Sequence, residues 1–444
     1  MVVIADAGSE LGQREASLLW VITHSESRLV KLEIGGGALD EKVDSLRCGL
    51  DRQTGWHWSD ETQRWKGRKP SCVSLRPDGL AQNEPLPFDV GASYDLYKAL
   101  FGSIEDLVRN KQLLIVPTRA LNILPFQVLV TADPAGDAGG AGAQWLASRH
   151  AITVLPSVSS LAALRRNAKT SMAGEPFIGF GNPVLDGHPG CGKIVVPDKC
   201  PEQETKVSTA PSFGDRVNTV LASLQGLFRD GQADVTAVRT LCPLPDTAHE
   251  LKCVARSLGA KSDSIVLGPA MTETTIKSLK LQNYRIVHFA THGLLAGETE
   301  QLANGRAEPA LVMTPPQTAS ETDDGLLTAS EVAGLKLDAD WVVMSACNTA
   351  GADKPGAEAL SGLAKAFFYA GARALLVSHW PVNSYAATML TSTTFVELKR
   401  EPKIGRAEAF RRAMVALINN KDRPWAAHPS VWAPFVVVGE GGAG

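Results

Sequence analysis

The chain runs to 444 residues, with 44% hydrophobic and 20% charged side chains and a formal net charge of -3 at pH 7. That length holds two or three ordinary domains, or one large one with an accessory layer, and the near-neutral balance lacks the basic footprint of direct binding to nucleic acid or to an anionic membrane. No run approaches the roughly 18–20 apolar residues that cross a bilayer, and Met1 to Asp6 lacks the basic-then-apolar pattern of a signal peptide, so a cytoplasmic address is expected.

Ser17 to Thr23 and Arg28 to Ile34 are β-branched and apolar runs around a polar tip, which predicts a hairpin closed by Gly35-Gly36-Gly37. An irregular stretch with Trp56, Trp58 and Trp65 follows as far as Pro87, and those rings are expected in a core under a long loop. Leu96, Leu100, Ile104 and Leu107 have helical spacing within Ser93 to Arg109, and Leu113 to Pro117 reads as a buried strand. Thr131 to Gly142 reads as a flexible loop. Further strands are predicted over 151–156, 177–180, 264–267, 285–290, 310–313, 341–344, 374–379 and 435–438.

Helical patterns lie between several of these strands. Ala357 to Ala370 places Leu360, Leu363, Ala364, Phe367 and Phe368 on one face, with Gly371 as cap. Thr328 and Glu331 make a capping-box pair with Leu327 and Val332 at the staple positions, and Gly405 to Ile418 is a third helix. Fully apolar strands alternating with helices predict an α/β fold with a mainly parallel sheet covered on both faces. Residues 184–241 depart from this rhythm, being rich in Gly, Pro and charge, and read as a flexible surface insertion with one helix near Val217 to Phe228.

The seven cysteines (48, 72, 191, 200, 242, 253 and 347) include no CxxC pair, which argues against a zinc ribbon, and their odd number leaves at least one thiol free. Cys191 and Cys200 could bridge in an oxidising compartment; in a reducing cytosol they are expected as two thiols. His288 and His292 are spaced as a metal pair would be on a helix, but their surroundings are strand-like, so no metal is expected there. Gly179-Phe180-Gly181-Asn182-Pro183 reads as a tight turn, because a phosphate loop would need a third glycine.

In parallel sheets functional groups collect where loops leave the carboxyl ends of strands. Arg285 to Ala290 runs into Thr291-His292-Gly293, and Trp341 to Met344 runs into Ser345-Ala346-Cys347-Asn348-Thr349-Ala350-Gly351. A histidine some 55 residues ahead of a cysteine is an order that cysteine peptidases use. A thiol with pKa near ~8.5 is only slightly ionised at neutral pH, so Cys347 needs a partner such as His292 to act as nucleophile. His292 could then protonate the leaving amine, while the Gly293 and Cys347 amides could hold the oxyanion.

Val287-His288-Phe289-Ala290-Thr291-His292-Gly293 and Val343 to Ala350 resemble the His and Cys motifs of CHAT domains, in the caspase–separase group of cysteine peptidases. Leu124-Pro125-Phe126, Asp324 to Ala329, Leu360 to Ala364, Phe368 to Arg373, Trp380-Pro381-Val382 and His428-Pro429 to Trp432 fit the same family in order, covering Ser17 to Val438 apart from the insertion. The resemblance implies a caspase-like sheet, a His292–Cys347 dyad and a cysteine endopeptidase activity needing no cofactor. It also implies a degenerate caspase-like or accessory N-terminal part over 12–170 and a peptidase part over 171–439. Ser345, two residues before the nucleophile, falls where the family lines the pocket for the side chain preceding the cleaved bond. The strand ending Ser378-His379-Trp380 resembles the edge against which a substrate pairs as an added strand. Asn383 stands where many CHAT sequences carry Asp. CHAT domains often follow TPR repeats and none is present in this sequence, so latency is expected, with control by a regulatory protein partner or by a TPR-type region of a longer chain, alongside a protein or peptide substrate. The rival expectation is a silent caspase-like scaffold for protein–protein interaction.

Overall fold

The computed structural model describes residues 1–6, 17–51, 56–59, 64–67, 72, 87–134, 142–167, 171–189, 191–192, 194, 196–197, 199–200, 228–229, 232–294, 308–346 and 362–442. The predicted apolar runs become strands in it. In chain order these are β1 (Val2–Asp6), β2 (Ser17–Ile22), β3 (Ser27–Leu32), the separate hairpin β4 (Trp56–Ser59) and β5 (Arg64–Gly67), β6 (Leu113–Val116) and β7 (Ile152–Val154). Then follow β8 (Ile178–Gly181), the hairpin β9 (Phe228–Arg229) and β10 (Gln232–Ala233), β11 (Ile265–Leu267) and β12 (Ile286–Ala290). A three-stranded sheet is made of β13 (Gly293–Leu294), β14 (Ala310–Val312) and β15 (Leu326–Thr328), and β16 (Trp341–Ser345), β17 (Ala374–Ser378) and β18 (Phe435–Gly439) come last.

The main sheet has eleven strands in the order β11-β8-β12-β16-β17-β18-β7-β6-β1-β2-β3. From β11 to β17 neighbours run parallel; β18 is antiparallel to β17, and β7, β6 and β1 continue parallel to β18. Only the β1-β2-β3 meander at the far edge is antiparallel throughout. The fold is the mainly parallel α/β class expected. β18 thus joins strands from the first 154 residues to strands from the rest in one hydrogen-bonded surface.

Strand side chains alternate between two cores. Trp341 and Val343 of β16, Leu376 of β17 and Phe435 and Val437 of β18 face one; Val342 and Met344, Leu375 and Val377, and Val436 and Val438 face the other. The helices Pro245–Leu258, Ser384–Arg400 and Arg406–Ile418 cover the first face, and Glu273–Ser278, Ala329–Ala333 and Gly362–Ala370 the second. Burial on both faces is why these strands are apolar without a polar alternate, each large side chain contributing about 1.5–3 kcal/mol. The capping box forms as predicted, with Thr328 and Glu331 each bonded to the other's backbone amide. Gly371 ends the helix Gly362–Ala370 at φ +115°, where a Cβ would stand 2.3 Å from the Leu337 carbonyl oxygen, so only glycine fits.

Several expectations are corrected. Gly35-Gly36-Gly37 does not merely close the hairpin but opens the helix Gly36–Cys48, whose Leu39, Val43 and Leu46 are buried at helical spacing. The chain start is β1, paired with both β2 and β6. The tryptophan stretch includes the β4–β5 hairpin, with Trp58 opposite Trp65. Much of 184–241, including residues 217–227 of the predicted helix, and part of the 131–142 loop lie outside the described residues.

Cys191 and Cys200 do not bridge each other. The disulfides are Cys48–Cys72, Cys191–Cys242 and Cys200–Cys253, and Cys347 is the one cysteine outside these pairs. Segment 191–200 runs past the start of the helix Pro245–Leu258, so partners come from 51 and 53 residues further on, a proximity that local sequence does not reveal.

Candidate active site

Two neighbouring strands of the parallel region deliver the histidine and cysteine motifs. β12 and β16 pair in parallel from Ile286 opposite Trp341 to Ala290 opposite Ser345. His292 lies two residues past Ala290 and Cys347 two residues past Ser345, so both motifs leave the same edge of the sheet from strands about 4.8 Å apart. Cys347 and residues 348–361 lie outside the described residues; the approach to them, through Ser345 and Ala346, is described and buried.

The histidine loop is held on three sides. Thr291 donates its hydroxyl to the Val312 carbonyl at 2.6 Å, the Val312 amide donates to the His292 carbonyl at 2.9 Å, and Gly293 pairs with Leu311. The small β13-β14-β15 sheet is thus a clamp that fixes where the chain goes after β12. His292 is buried, and its Nε2 lies 2.7 Å from the Cys242 carbonyl oxygen. A carbonyl can only accept, so Nε2 carries the proton and the basic nitrogen of the neutral ring is Nδ1.

Beneath the cysteine motif lies a polar group that sequence reading missed. Glu250, on the helix Pro245–Leu258, is fully buried, accepts the Ser345 hydroxyl at 3.1 Å on Oε2 and has His288 Nε2 3.1 Å from its Oε1. The His288 contact falls outside the geometry of an aligned hydrogen bond. His288 therefore faces the Glu250 carboxylate while His292 faces the Cys242 carbonyl. The helix can come this close because Gly179 and Gly181 of β8 have no side chain: a Cβ at either would meet Leu251 at 2.8 and 2.7 Å. The Gly-Phe-Gly run expected as a tight turn is thus the end of β8, and its missing side chains serve this packing.

Ser378, His379 and Trp380 are all buried. β17 lies between β16 and β18 and is not a sheet edge, which corrects the expectation of an open edge there. The Ser378 hydroxyl donates to the Ala346 carbonyl, next to Cys347; the His379 amide donates to Pro434 O at 2.8 Å; and Trp380 Nε1 donates to Ser430 O at 3.0 Å beneath the Arg47 guanidinium. Burial, and then the neighbouring Arg47 charge, push the His379 imidazole down to about 3, so it stays neutral. Asn383 caps the helix Ser384–Arg400 by accepting from the Tyr385 and Ala386 amides, a task Asn and Asp both perform.

Glu273 explains the Asp324-Gly325-Leu326 motif. Its buried Oε1 accepts the backbone amides of all three residues at 2.8, 2.7 and 3.1 Å, while Lys277 Nζ holds Oε2 at 2.7 Å. Burial still pushes its carboxyl up to about 7, against the pull of Lys277. This knot anchors β15, and through β14 the clamp on His292.

The family model of the CHAT domain matches residues 92–440. Tetratricopeptide repeat protein 28 of Mus musculus is 28% identical over 224 residues, and that of Homo sapiens 26% identical over 220; each match covers 44% of this chain. The matched stretch is only 9% and 8% of the length of those relatives. Among solved structures, the Arg-specific cysteine proteinase gingipain R is similar at TM-score 0.38 and 11% identity, covering 80% of this chain and 68% of that one. The Saccharomyces cerevisiae separase–securin complex is similar at TM-score 0.46 and 11% identity, covering 99% of this chain and 30% of that one. With the family match extending over most of its length and including both strand-end motifs, the chain belongs to the CHAT domain family.

Proposed function

We propose that this chain is a cysteine endopeptidase acting through Cys347 and His292. The observation that carries the reading is the β12–β16 register, which brings the His and Cys motifs off adjacent strands at equal distance past a paired position. In this reading the Cys347 thiol gives its proton to Nδ1 of His292, made the basic nitrogen by the Cys242 carbonyl, and the resulting thiolate attacks a peptide carbonyl. The oxyanion rests on the Gly293 and Cys347 amides. His292 protonates the departing amine, then activates the water that opens the acyl-enzyme. Ser378 and Glu250 act as positioning groups, one on the Ala346 carbonyl and one on Ser345, next to and two residues before the nucleophile.

The part over 171–439 would carry the chemistry and that over 12–170 would serve as its accessory layer. Activity would be latent until a protein partner engages, and the protein would work in the cytoplasm. A non-catalytic scaffold is the second reading, favoured by relatives named for tetratricopeptide repeats, since such arrays present extended binding surfaces. The test is a digest of a proteome-derived peptide library by wild type, Cys347→Ala and His292→Ala, read by mass spectrometry. Cleavages confined to wild type, with each variant down on the order of 10³-fold or more, are expected. Cleavage surviving Cys347→Ala would exclude this nucleophile, and silence from wild type even with a TPR-bearing partner would favour the scaffold.

A further inference from the structure

Two groups of soft ligands lie outside the proposed dyad, the first joined to it through Cys242, whose carbonyl accepts from His292 Nε2. His188, Cys191 and Cys242 form one and Cys200, His249 and Cys253 the other, and within each the ligand atoms all lie within 4.8 Å of one another. In both, a histidine Nε2 stands beside the sulfur of the later cysteine, at 3.7 Å for His188 to Cys242 and 3.5 Å for His249 to Cys253. Tetrahedral zinc, with bonds of about 2.3 Å to sulfur and about 2.0 Å to nitrogen, sets nitrogen and sulfur about 3.5 Å apart and two sulfurs about 3.8 Å apart. Both imidazoles therefore already sit at the edge length of a zinc tetrahedron.

The local backbone supports the same chemistry. His188 and Cys191 flank a tight turn closed by the Cys191 amide on the His188 carbonyl at 2.9 Å, and the His188 amide donates to Cys191 Sγ at 3.3 Å. Such an amide–sulfur bond steadies a metal-bound thiolate. Gly187 enters the turn at φ +75°, and a Cβ on it would stand 3.3 Å from the same sulfur. In the second group His249 and Cys253 are one turn apart on the helix Pro245–Leu258, so they leave from one face. A cavity of about 360 Å³, lined by Asp186, His188, Cys191 and Pro243 among others, gives an ion access to the first group.

We propose that, when their bridges are reduced, these two groups are Cys₂His zinc sites, each with a fourth position open to water. A dithiol reductant delivers two electrons and two protons to each bridge, leaving two thiols here and a disulfide on the reductant. Each site then takes one Zn²⁺ and releases those two protons as its thiolates form. Bridge and metal are exclusive states of the same four cysteines, and the reducing cytosol expected for this chain favours the metal.

The test uses the full chain with Cys48→Ala, Cys72→Ala and Cys347→Ala, so that no cysteine outside the two groups adds a thiolate. The protein is reduced with a phosphine, freed of it under argon and titrated with Co²⁺, whose thiolate complexes absorb in the near ultraviolet and visible. Two Co²⁺ per chain, displaced by Zn²⁺ and absent from the oxidised protein, are expected, and His188→Ala and His249→Ala should each halve the uptake. A reduced chain with unchanged far-ultraviolet circular dichroism that takes up no Co²⁺ overturns the proposal. So does uptake that persists in the double histidine variant. If reduction unfolds the chain, added Zn²⁺ must restore the dichroism, and failure to do so also overturns it. Loss of uptake in only one single variant keeps that site and removes the other.

Discussion

His379 offers a measurable consequence of burying an imidazole beside an arginine. Its ring is buried under Arg47 with Nδ1 unpaired among the described residues, and its folded-state value lies near 3. The unfolded value is about 6.5. Between these limits the unfolded chain binds a proton that the folded chain does not, so the contribution is fully present above pH 6.5 and lost as the pH falls. From pH 7 to pH 5 the loss comes to about 2 kcal/mol, and it hardly depends on how far below 5 the folded value lies. His379→Phe keeps a planar ring and cannot titrate. Urea unfolding of both proteins by tryptophan fluorescence at pH 7 and pH 5 should show wild type losing about 2 kcal/mol more than the variant. The comparison must be between proteins, because Glu273, raised to about 7, binds its proton in the folded state and shifts stability the opposite way over the same range. Equal pH dependence in the two proteins would mean that His379 is protonated in the fold, and the account of its burial would be wrong.

Three further substitutions probe the polar groups beneath the candidate site. Glu273→Ala strips three buried amides and Lys277 of their acceptor and should cost about 3–5 kcal/mol in urea unfolding, whereas Glu273→Gln keeps an acceptor at Oε1 and should cost less than half of that. Glu250→Ala leaves the Ser345 hydroxyl and His288 without their carboxylate and should cost about 3 kcal/mol; if the peptidase reading holds, kcat should fall more than KM rises, since Ser345 leads directly to the nucleophile.

The sheet was legible where the physics is local. Runs such as Ile286–Ala290 and Trp341–Ser345 are apolar on both faces and closed by turn residues, and the Thr328–Glu331 box and Gly371 cap are short-range signals that formed as read. The helix Gly36–Cys48 was missed because three glycines argue for a break, although Leu39, Val43 and Leu46 already carried the period. The motifs that carry His292 and Cys347 stand out by spacing, whereas Glu250 and Glu273 do not, because a buried acid is written like a surface one until its partners fold over it. The cysteine pairing failed for the same reason, its partners lying 51 and 53 residues apart. The expected edge at Ser378 failed because β18, about 60 residues later, covers it.

The position of β18 also bears on how the molecule assembles. Residues 435–439 follow every other strand of this sheet in chain order, yet they stitch β17 to β7, almost 300 residues earlier in the chain. Until they exist, β17 and β7 each present an unpaired edge, and the two halves can collapse separately but cannot share a sheet. Closing so long a loop is slow, and the waiting edges are exposed to other chains. Completion of the sheet therefore waits on β18, and the time that closure takes sets how long the β7 and β17 edges stay open to other chains.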